Sequence, residues 1–351
     1  MRRKVAIITG VNGQDGSYLA ELLLEKQYSV IGLVRRSSVN THERINHVIN
    51  KEGFMLLEAD ITDPSSVNAI VNRYKPDEIY NLAAQSHVKT SFDQPNFTFQ
   101  VNTMGVLNIL EAVRHFSPHT RFYQASTSEM FGSNFTFDSY LNSFYEKDGK
   151  LCADTKQNKY QDENTNFSPN SPYAVAKVAA HNLVDLYRRS YGLHASCGIL
   201  FNHESERRGE NFVTRKITKY IGKLAHHRRS IKGLAGESYP VLGLGNLDAV
   251  RDWGHAQDYV EAMYLMLQQP KADDYVICTG KGHSVRDFLD AAFKSIGITD
   301  WSKYVEIDPQ FYRPCEVEFL QGRCNKAKKA LGWEPKITFE QLVQRMVQHD
   351  S

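Results

Sequence analysis

Long hydrophobic runs are missing from this 351-residue chain. After Met1-Arg2-Arg3-Lys4 the first apolar stretch is only Val5 to Ile8, ending at Thr9-Gly10. That is too short for a signal-peptide core or a membrane span, so a cytoplasmic protein is expected. Cysteine is sparse. Cys152, Cys197, Cys278, Cys315 and Cys324 are odd in number and widely spaced, with no Cys-x-x-Cys pair. A disulfide framework or a zinc site is therefore not expected, and the thiols read as reduced and buried. No sign of charge dominates: 42 Lys and Arg face 40 Asp and Glu, a formal net charge of +2. The basic clusters, Arg2 to Lys4, Arg35-Arg36, Arg207-Arg208 and Arg228-Arg229, are short, which argues against nucleic acid and membrane partners. Repeats and Gly/Ser linkers are absent too. What remains, 41% hydrophobic residues, suffices for one large or two coupled domains.

The pattern that is present alternates strand and helix. Val5 to Ile8 reads as a parallel strand buried on both faces. It enters a turn with Gly10, Gly13 and Gly16, followed by helical spacing at Leu19, Leu22, Leu23 and Leu24. Glycines there let the backbone lie against a diphosphate, where free N–H groups and the helix dipole favour an anion. Tyr28 to Val34 reads as a second strand. Its end carries Arg35-Arg36-Ser37-Ser38 instead of an acidic residue, which favours NADP over NAD, because a carboxylate would repel a 2′-phosphate. Phe54 to Ala59 is a third strand. Asp60 beyond it either reaches an adenine or caps the helix starting near Pro64. Further strands are expected at Glu78 to about Leu82, Arg121 to Ala125 and Ala195 to Leu200, with a helix from about Phe97 to His115. Residues 134–170 read as a polar surface excursion. The later chain is less regular, with helices near Val213 to Arg228 and Asp258 to Leu267, strands at Tyr239 to Leu242 and Asp274 to Cys278, and a terminal helix after Trp333. The fold class expected is α/β, a Rossmann-type doubly wound parallel sheet with a smaller α/β substrate-binding domain. The division expected is 1–201 for the dinucleotide, with a return at roughly 247–280, and 202–246 plus 281–351 for the substrate.

The chemistry centres on Tyr173 and Lys177. Four residues apart on a helix, they share a face, so the ammonium is expected near the phenolic oxygen, where it favours the phenolate. Such a Tyr serves hydride transfer to a nicotinamide, and the Lys can also hold a ribose hydroxyl. Thr127 and Glu129, two apart at the end of the Arg121 strand, are expected to aim into the same cavity. A carboxylate beside the Tyr exceeds what a simple dehydrogenase needs.

In order, the first strand, Gly10-x-x-Gly13-x-x-Gly16, Asn81-Leu82-Ala83-Ala84, Ser126-Thr127 and Tyr173-x-x-x-Lys177 resemble the extended short-chain dehydrogenase/reductase family, which acts on nucleotide sugars. With Ser128-Glu129-Met130-Phe131-Gly132, Leu200-Phe201-Asn202-His203-Glu204-Ser205, Phe212 to Ile217 and Tyr312-Arg313-Pro314, the likeness narrows to members that remove water from GDP-mannose on the way to GDP-6-deoxyhexoses such as GDP-fucose or GDP-rhamnose. By that resemblance Thr127, Glu129, Tyr173 and Lys177 form the catalytic set. NADP contacts are implied for Gly10, Asn12, Gly13, Gln14, Asp15, Gly16, Arg35, Asp60, Ile61, Leu82, Ala84, Ser86, Lys177, His203 and Arg208. The GDP-sugar is implied for Ser86, Asn202, Lys216, Arg251, Arg313 and Glu316. No metal is implied. Relatives use the loop from Arg35 to Asn46 at a subunit contact, which implies a homodimer or homotetramer. Three departures stand out: a longer connection between Gly132 and Ser171, Phe97 where Tyr is usual, and Gln257 where Arg is usual. The rival readings are a nucleotide-sugar 4-epimerase or reductase, with 4-keto reduction also open as a secondary activity, and a silent NADP-sensing regulator.

Overall fold

The computed structural model describes residues 2–137, 144–147, 150–153, 159–230, 239–312 and 314–351. The apolar runs form β1 (Val5–Thr9), β2 (Ser29–Val34), β3 (Phe54–Glu58), β4 (Glu78–Asn81) and β5 (Arg121–Thr127). With Ala195–Leu200 and Tyr275–Ile277 they make a seven-stranded sheet, all neighbours parallel. From one edge the order is Tyr275–Ile277, Ala195–Leu200, β5, β4, β1, β2, β3. The order reverses between β1 and β4, which opens a crevice at the carboxyl ends of the strands. Parallel strands need crossovers, and the helices cover both faces. Helix α1 (Gln14–Glu25) and Ala256–Gln268 bury Leu19, Leu23, Met263 and Met266 on one side. Pro64–Tyr74, Gly105–Phe116 and Pro172–Tyr191 bury Val67, Val71, Ile109, Val113 and Val184 on the other.

A second core lies beyond the sheet. Val213–Ser230, Val285–Lys294 and Phe339–Asp350 pack around Trp253, Phe288, Leu342 and Met346. Val250–His255 pairs with Asn202–Glu204 and with Gly282–Ser284 in a small mixed sheet.

Four expectations change in detail. The strand expected at Tyr239 to Leu242 forms at Leu242–Leu244, and the terminal helix starts at Phe339 after a separate short helix, Asn325–Leu331. The helix expected through Phe97 to His115 is broken by a π turn at Gln100–Met104. That turn turns Asn102 inward, where its amide donates to and accepts from the backbone of Gln85 at 2.9 Å each way. At Gly105 a Cβ would lie 2.6 Å from Ile61 Cδ1, so a larger residue there would require Ile61 to shift. The later part of the 134–170 excursion is not merely surface. Gln161 is fully buried and bonded through its backbone to Gln321 and Arg323, and the Glu163 carboxylate accepts from Val276 N–H at 2.8 Å. A sheet edge left bare at Tyr275–Ile277 is thereby covered. The cysteine expectation also needs correcting: Cys197 and Cys278 are buried and free, but Cys315 is exposed.

The last helix docks closely on Val213–Ser230. Asp350 pairs with Arg215 at 2.8 Å and accepts from Thr218 at 2.7 Å, and a Cβ on Gly222 would fall 1.8 Å from the Asp350 carbonyl oxygen. Helix propensity alone would have Gly222→Ala stabilise by about 1 kcal/mol. The collision with backbone should reverse the sign, to a loss of roughly 1–3 kcal/mol. Chemical denaturation reads this directly, and a midpoint that rises would contradict the packing described.

Candidate active site

Helix Pro172–Tyr191 starts where it does because the Ser171 hydroxyl accepts from Ala174 N–H at 3.1 Å, with Pro172 in the first turn. This fixes the helix across the end of β5. Tyr173 and Lys177 are then brought to one wall of a cavity of about 670 Å³, with Thr127 and Glu129 on the same wall. Thr127 ends β5 and caps the short turn Ser128–Phe131, its oxygen accepting from Glu129 N–H at 3.3 Å. Glu129 therefore sits on a turn, not in the extended segment the sequence suggested.

Lys177 is nearly fully buried and donates to the Ala125 carbonyl at 2.8 Å; its Nζ lies 5.9 Å from the Tyr173 ring centroid. Burial without a carboxylate partner pulls its pKa down to about 8. Tyr173 moves the other way. Burial pushes its phenol up to about 12, against a hydrogen bond with Thr127 that favours ionisation. The expectation that the Lys makes a phenolate is thus corrected for the protein on its own: the ammonium is committed to Ala125, and desolvation keeps Tyr173 neutral.

The floor beneath is a continuous polar row. Thr9 Oγ1 donates to Asn81 at 2.6 Å, Asn81 Nδ2 to Gln124 at 2.8 Å, and Gln124 Nε2 to the same Ala125 carbonyl at 3.0 Å. Thr9 Oγ1 also accepts from Leu82 and Ala83 N–H. Gly10, at φ +67°, sits where a Cβ would lie 3.1 Å from Ala83 backbone, so the glycine turn closes directly on the switch point.

Helix α1 begins after Gly13 with no side-chain cap, leaving its first N–H groups suited to a diphosphate. Asp15 and His203 pair at 2.7 Å at the cavity. Burial opposes both charges, yet their mutual attraction and hydrogen bond prevail, lowering the Asp15 pKa and raising that of His203. His203 also stacks on Tyr259, centroids 4.5 Å apart.

Of the residues singled out by sequence, Thr127, Glu129, Tyr173, Lys177, Asp15, Leu82, Ala84, Ser86, Asn202, His203, Arg208, Lys216, Arg251 and Glu316 line this one cavity. Gly10, Asn12, Gly13, Gln14 and Gly16 form the turn behind it. Asn12 donates to Thr41 at 3.0 Å, and Gln14 to the His203 carbonyl at 3.1 Å. Arg35 is exposed past the end of β2. Ile61 is buried against Gly105. Asp60 accepts from Thr62 N–H and hydroxyl, while the cap of Pro64–Tyr74 is Asp63, so the capping alternative for Asp60 is set aside. Arg313 lies outside the described residues. At the far end Arg251 pairs with Glu316 at 3.0 Å, and Lys216 donates to Gly243 O at 2.7 Å with its Nζ 3.6 Å from the Phe311 centroid.

Sequence reasoning missed Phe311 under Lys216, Phe212 under Arg208 and the inward-turned Asn102. Only Asn102 carried a signal, a buried-type amide in the middle of a helical run.

A model of the family described as GDP-mannose 4,6 dehydratase matches residues 7–139 and 154–346. The chain belongs to the GDP-mannose 4,6-dehydratase family. It is 49% identical to GDP-mannose 4,6 dehydratase 2 of Arabidopsis thaliana over 99% of this chain and 87% of the relative. It is 45% identical to the Homo sapiens GDP-mannose 4,6 dehydratase over 99% and 91%. Among solved structures it is similar to Thermus thermophilus UDP-glucose 4-epimerase in complex with NAD, with TM-score 0.76, 26% identity and 99% and 98% coverage. It shares its fold with dTDP-glucose 4,6-dehydratase of Bacillus anthracis, with TM-score 0.75, 21% identity and 99% and 96% coverage. No described helix is long and apolar enough to cross a membrane.

The buried Lys177 carries a stability signature. Its folded pKa of about 8 lies below the ordinary 10.5, so between those values the unfolded chain binds more protons and stability rises with pH. Stability of wild type minus that of Lys177→Met should accordingly climb from pH 8 to about 10.5. A difference that stays flat across that window in denaturant melts would refute the burial of a charged Lys177.

Proposed function

We propose that the protein converts GDP-mannose to GDP-4-dehydro-6-deoxy-mannose and water, with NADP ending as it began. The observation that carries this is that Glu129 lines the same cavity as Thr127, Tyr173 and Lys177. An epimerase needs hydride transfer only; a dehydratase also needs an acid/base at C5 and C6.

NADP suits the residues present. The uncapped N-terminus of α1 would take the diphosphate, exposed Arg35 with Arg36 the 2′-phosphate, and Asp60 and Ile61 the adenine. Leu82, Ala84, Ser86, Lys177, His203 and Arg208 hold the other half. NADP held there would supply a reversible hydride acceptor for C4 and donor for C6, and a cationic ring that would favour ionised Tyr173. Tyr173 takes the 4-hydroxyl proton while Thr127 bonds the C4 oxygen. The resulting ketone acidifies C5, where Glu129 removes the proton and delivers one to the departing 6-hydroxyl. Tyr173, which holds the proton taken from the 4-hydroxyl, then returns it to C5, so atoms and electrons balance.

Ser86, Asn202, Lys216, Arg251, Arg313 and Glu316 are proposed for the GDP-sugar. The division into a dinucleotide unit, 1–201 with a return near 247–280, and a sugar-nucleotide unit, 202–246 with 281–351, belongs to the same proposal, although Ala327, Leu331 and Trp333 pack into the first core and Leu247 and Trp253 into the second. A homodimer or homotetramer built through the loop after β2 belongs to the same reading, as does cytoplasmic residence.

The test is incubation with GDP-mannose in D2O, followed by NMR and mass spectrometry. Loss of one water, a C6 methyl group, deuterium at C5 and constant nicotinamide absorbance are expected. Glu129→Gln should cut turnover by about 10²–10⁴. Unchanged mass with an inverted C4 would mean epimerisation, and a product with a 4-hydroxyl would reveal a further reduction.

A further inference from the structure

Outside the reacting residues, two thiols from distant parts of the chain meet. Cys278 follows the edge strand Tyr275–Ile277 and is fully buried with Met130, Phe131, Phe201, Val317 and Leu320. Cys324 precedes the helix Asn325–Leu331 and is half-buried. Its Sγ lies 3.5 Å from the Cys278 carbonyl oxygen. It also lines a second cavity of about 430 Å³, beside Lys159, Arg323 and Lys328, so small oxidants reach it from solvent.

The segments bearing these thiols are tied to the sugar-nucleotide end of the active-site cavity. Asp252, fully buried, accepts from Thr279 N–H, Thr279 hydroxyl, Gly280 N–H and Gly322 N–H at 2.8, 2.6, 2.8 and 3.3 Å. Its neighbour Arg251 holds Glu316. Glu316, Gly322 and Cys324 therefore belong to one strap, anchored at Asp252 and packed so closely that a Cβ on Gly322 would sit 2.6 Å from Cys278 Sγ.

We propose that Cys278 and Cys324 are a reversible oxidation site, and that closing their disulfide shifts this strap and loosens sugar-nucleotide binding. The hydrogen bond from Cys278 holds the Cys324 pKa below its ordinary value, against burial and the nearby Asp252, while burial raises that of Cys278. Cys324 is thus the attacking thiolate and Cys278 the resolving thiol. With a hydroperoxide as oxidant, the Cys324 thiolate displaces an alcohol or water and becomes a sulfenic acid. Cys278 then attacks that sulfur and releases water, so two thiols and one hydroperoxide give one disulfide, one water and one alcohol or second water. To pair, Cys324 Sγ must leave the Cys278 carbonyl for its sulfur, which pulls on the Gly322 to Glu316 segment. A thiol exchange agent reverses the bond.

The binding half of this proposal rests on the GDP-mannose reading; the pairing half does not. NADP-loaded enzyme is treated with hydrogen peroxide, its thiols are blocked, and peptides are mapped without reduction. The expected result is a Cys278–Cys324 link, two fewer free thiols, and full reversal by dithiothreitol. The same sample should show KM for GDP-mannose raised about threefold or more with kcat less affected. Cys324→Ser, a substitution at a half-buried position, should keep the untreated KM and lose the response; Cys278→Ala should do the same. Oxidation confined to exposed Cys315, or no Cys278–Cys324 link, would overturn the pairing. A link with unchanged KM would overturn the coupling to the cavity. An enzyme inert toward GDP-mannose would fail the function reading separately, with the peptide map still deciding the pair.

Discussion

The Ala125 carbonyl receives both the Lys177 ammonium and the end of the row Thr9, Asn81, Gln124. That shared acceptor lies at the carboxyl end of β5, one residue from Ser126 and two from Thr127. It holds a charged side chain in a place where burial pulls its pKa down to about 8. A lone ammonium so placed is tolerable only because a strong acceptor is fixed in advance. The acceptor is held in place because Thr9, Asn81 and Gln124 link three neighbouring strands through buried side-chain hydrogen bonds, and Gln124 turns its amide onto the Ala125 carbonyl of its own strand. The row crosses β1, β4 and β5 and ends two residues before Thr127.

Desolvation dominates the electrostatics of the cavity. It raises Tyr173, lowers Lys177 and opposes both members of the Asp15–His203 pair, whose mutual attraction nevertheless lowers the Asp15 pKa and raises that of His203. The contrast is informative. Asp15 and His203 have charged partners in each other, whereas Tyr173 and Lys177 have only neutral ones, Thr127 and the Ala125 carbonyl, and lean toward the uncharged state that an incoming cation or hydroxyl would shift. Preorganisation here means a dry wall with a few dipoles aimed outward, and the second core supplies the opposing wall through Asn202, Lys216 and the Arg251–Glu316 pair.

Much of this was legible in sequence because the signals are local. The strand Val5 to Ile8, the glycine turn and the Tyr173/Lys177 spacing each encode a backbone geometry within a few residues. Side-chain partnerships across the chain were not legible. That Lys177 would choose Ala125 over the phenol depends on the register of β5 against Ala195–Leu200, and that Asp63 rather than Asp60 would cap a helix depends on one turn of backbone. Beside the π turn at Gln100–Met104, Ile61 packs against Gly105 and Asn102 bonds the Gln85 backbone, contacts that no periodicity reveals. Likewise the excursion before Ser171 reads as polar surface, yet Glu163 and Gln161 enter it to cover a sheet edge formed more than a hundred residues later.

The central claim, that one site oxidises C4 and reduces C6 of the same sugar without releasing reducing equivalents, is tested most directly with GDP-mannose carrying deuterium at C4, in ordinary water and with NADP bound. The account predicts product whose C6 methyl carries that deuterium, transferred within one molecule even when labelled and unlabelled substrates are mixed. Product lacking the label at C6, or label scrambled between molecules, would contradict it.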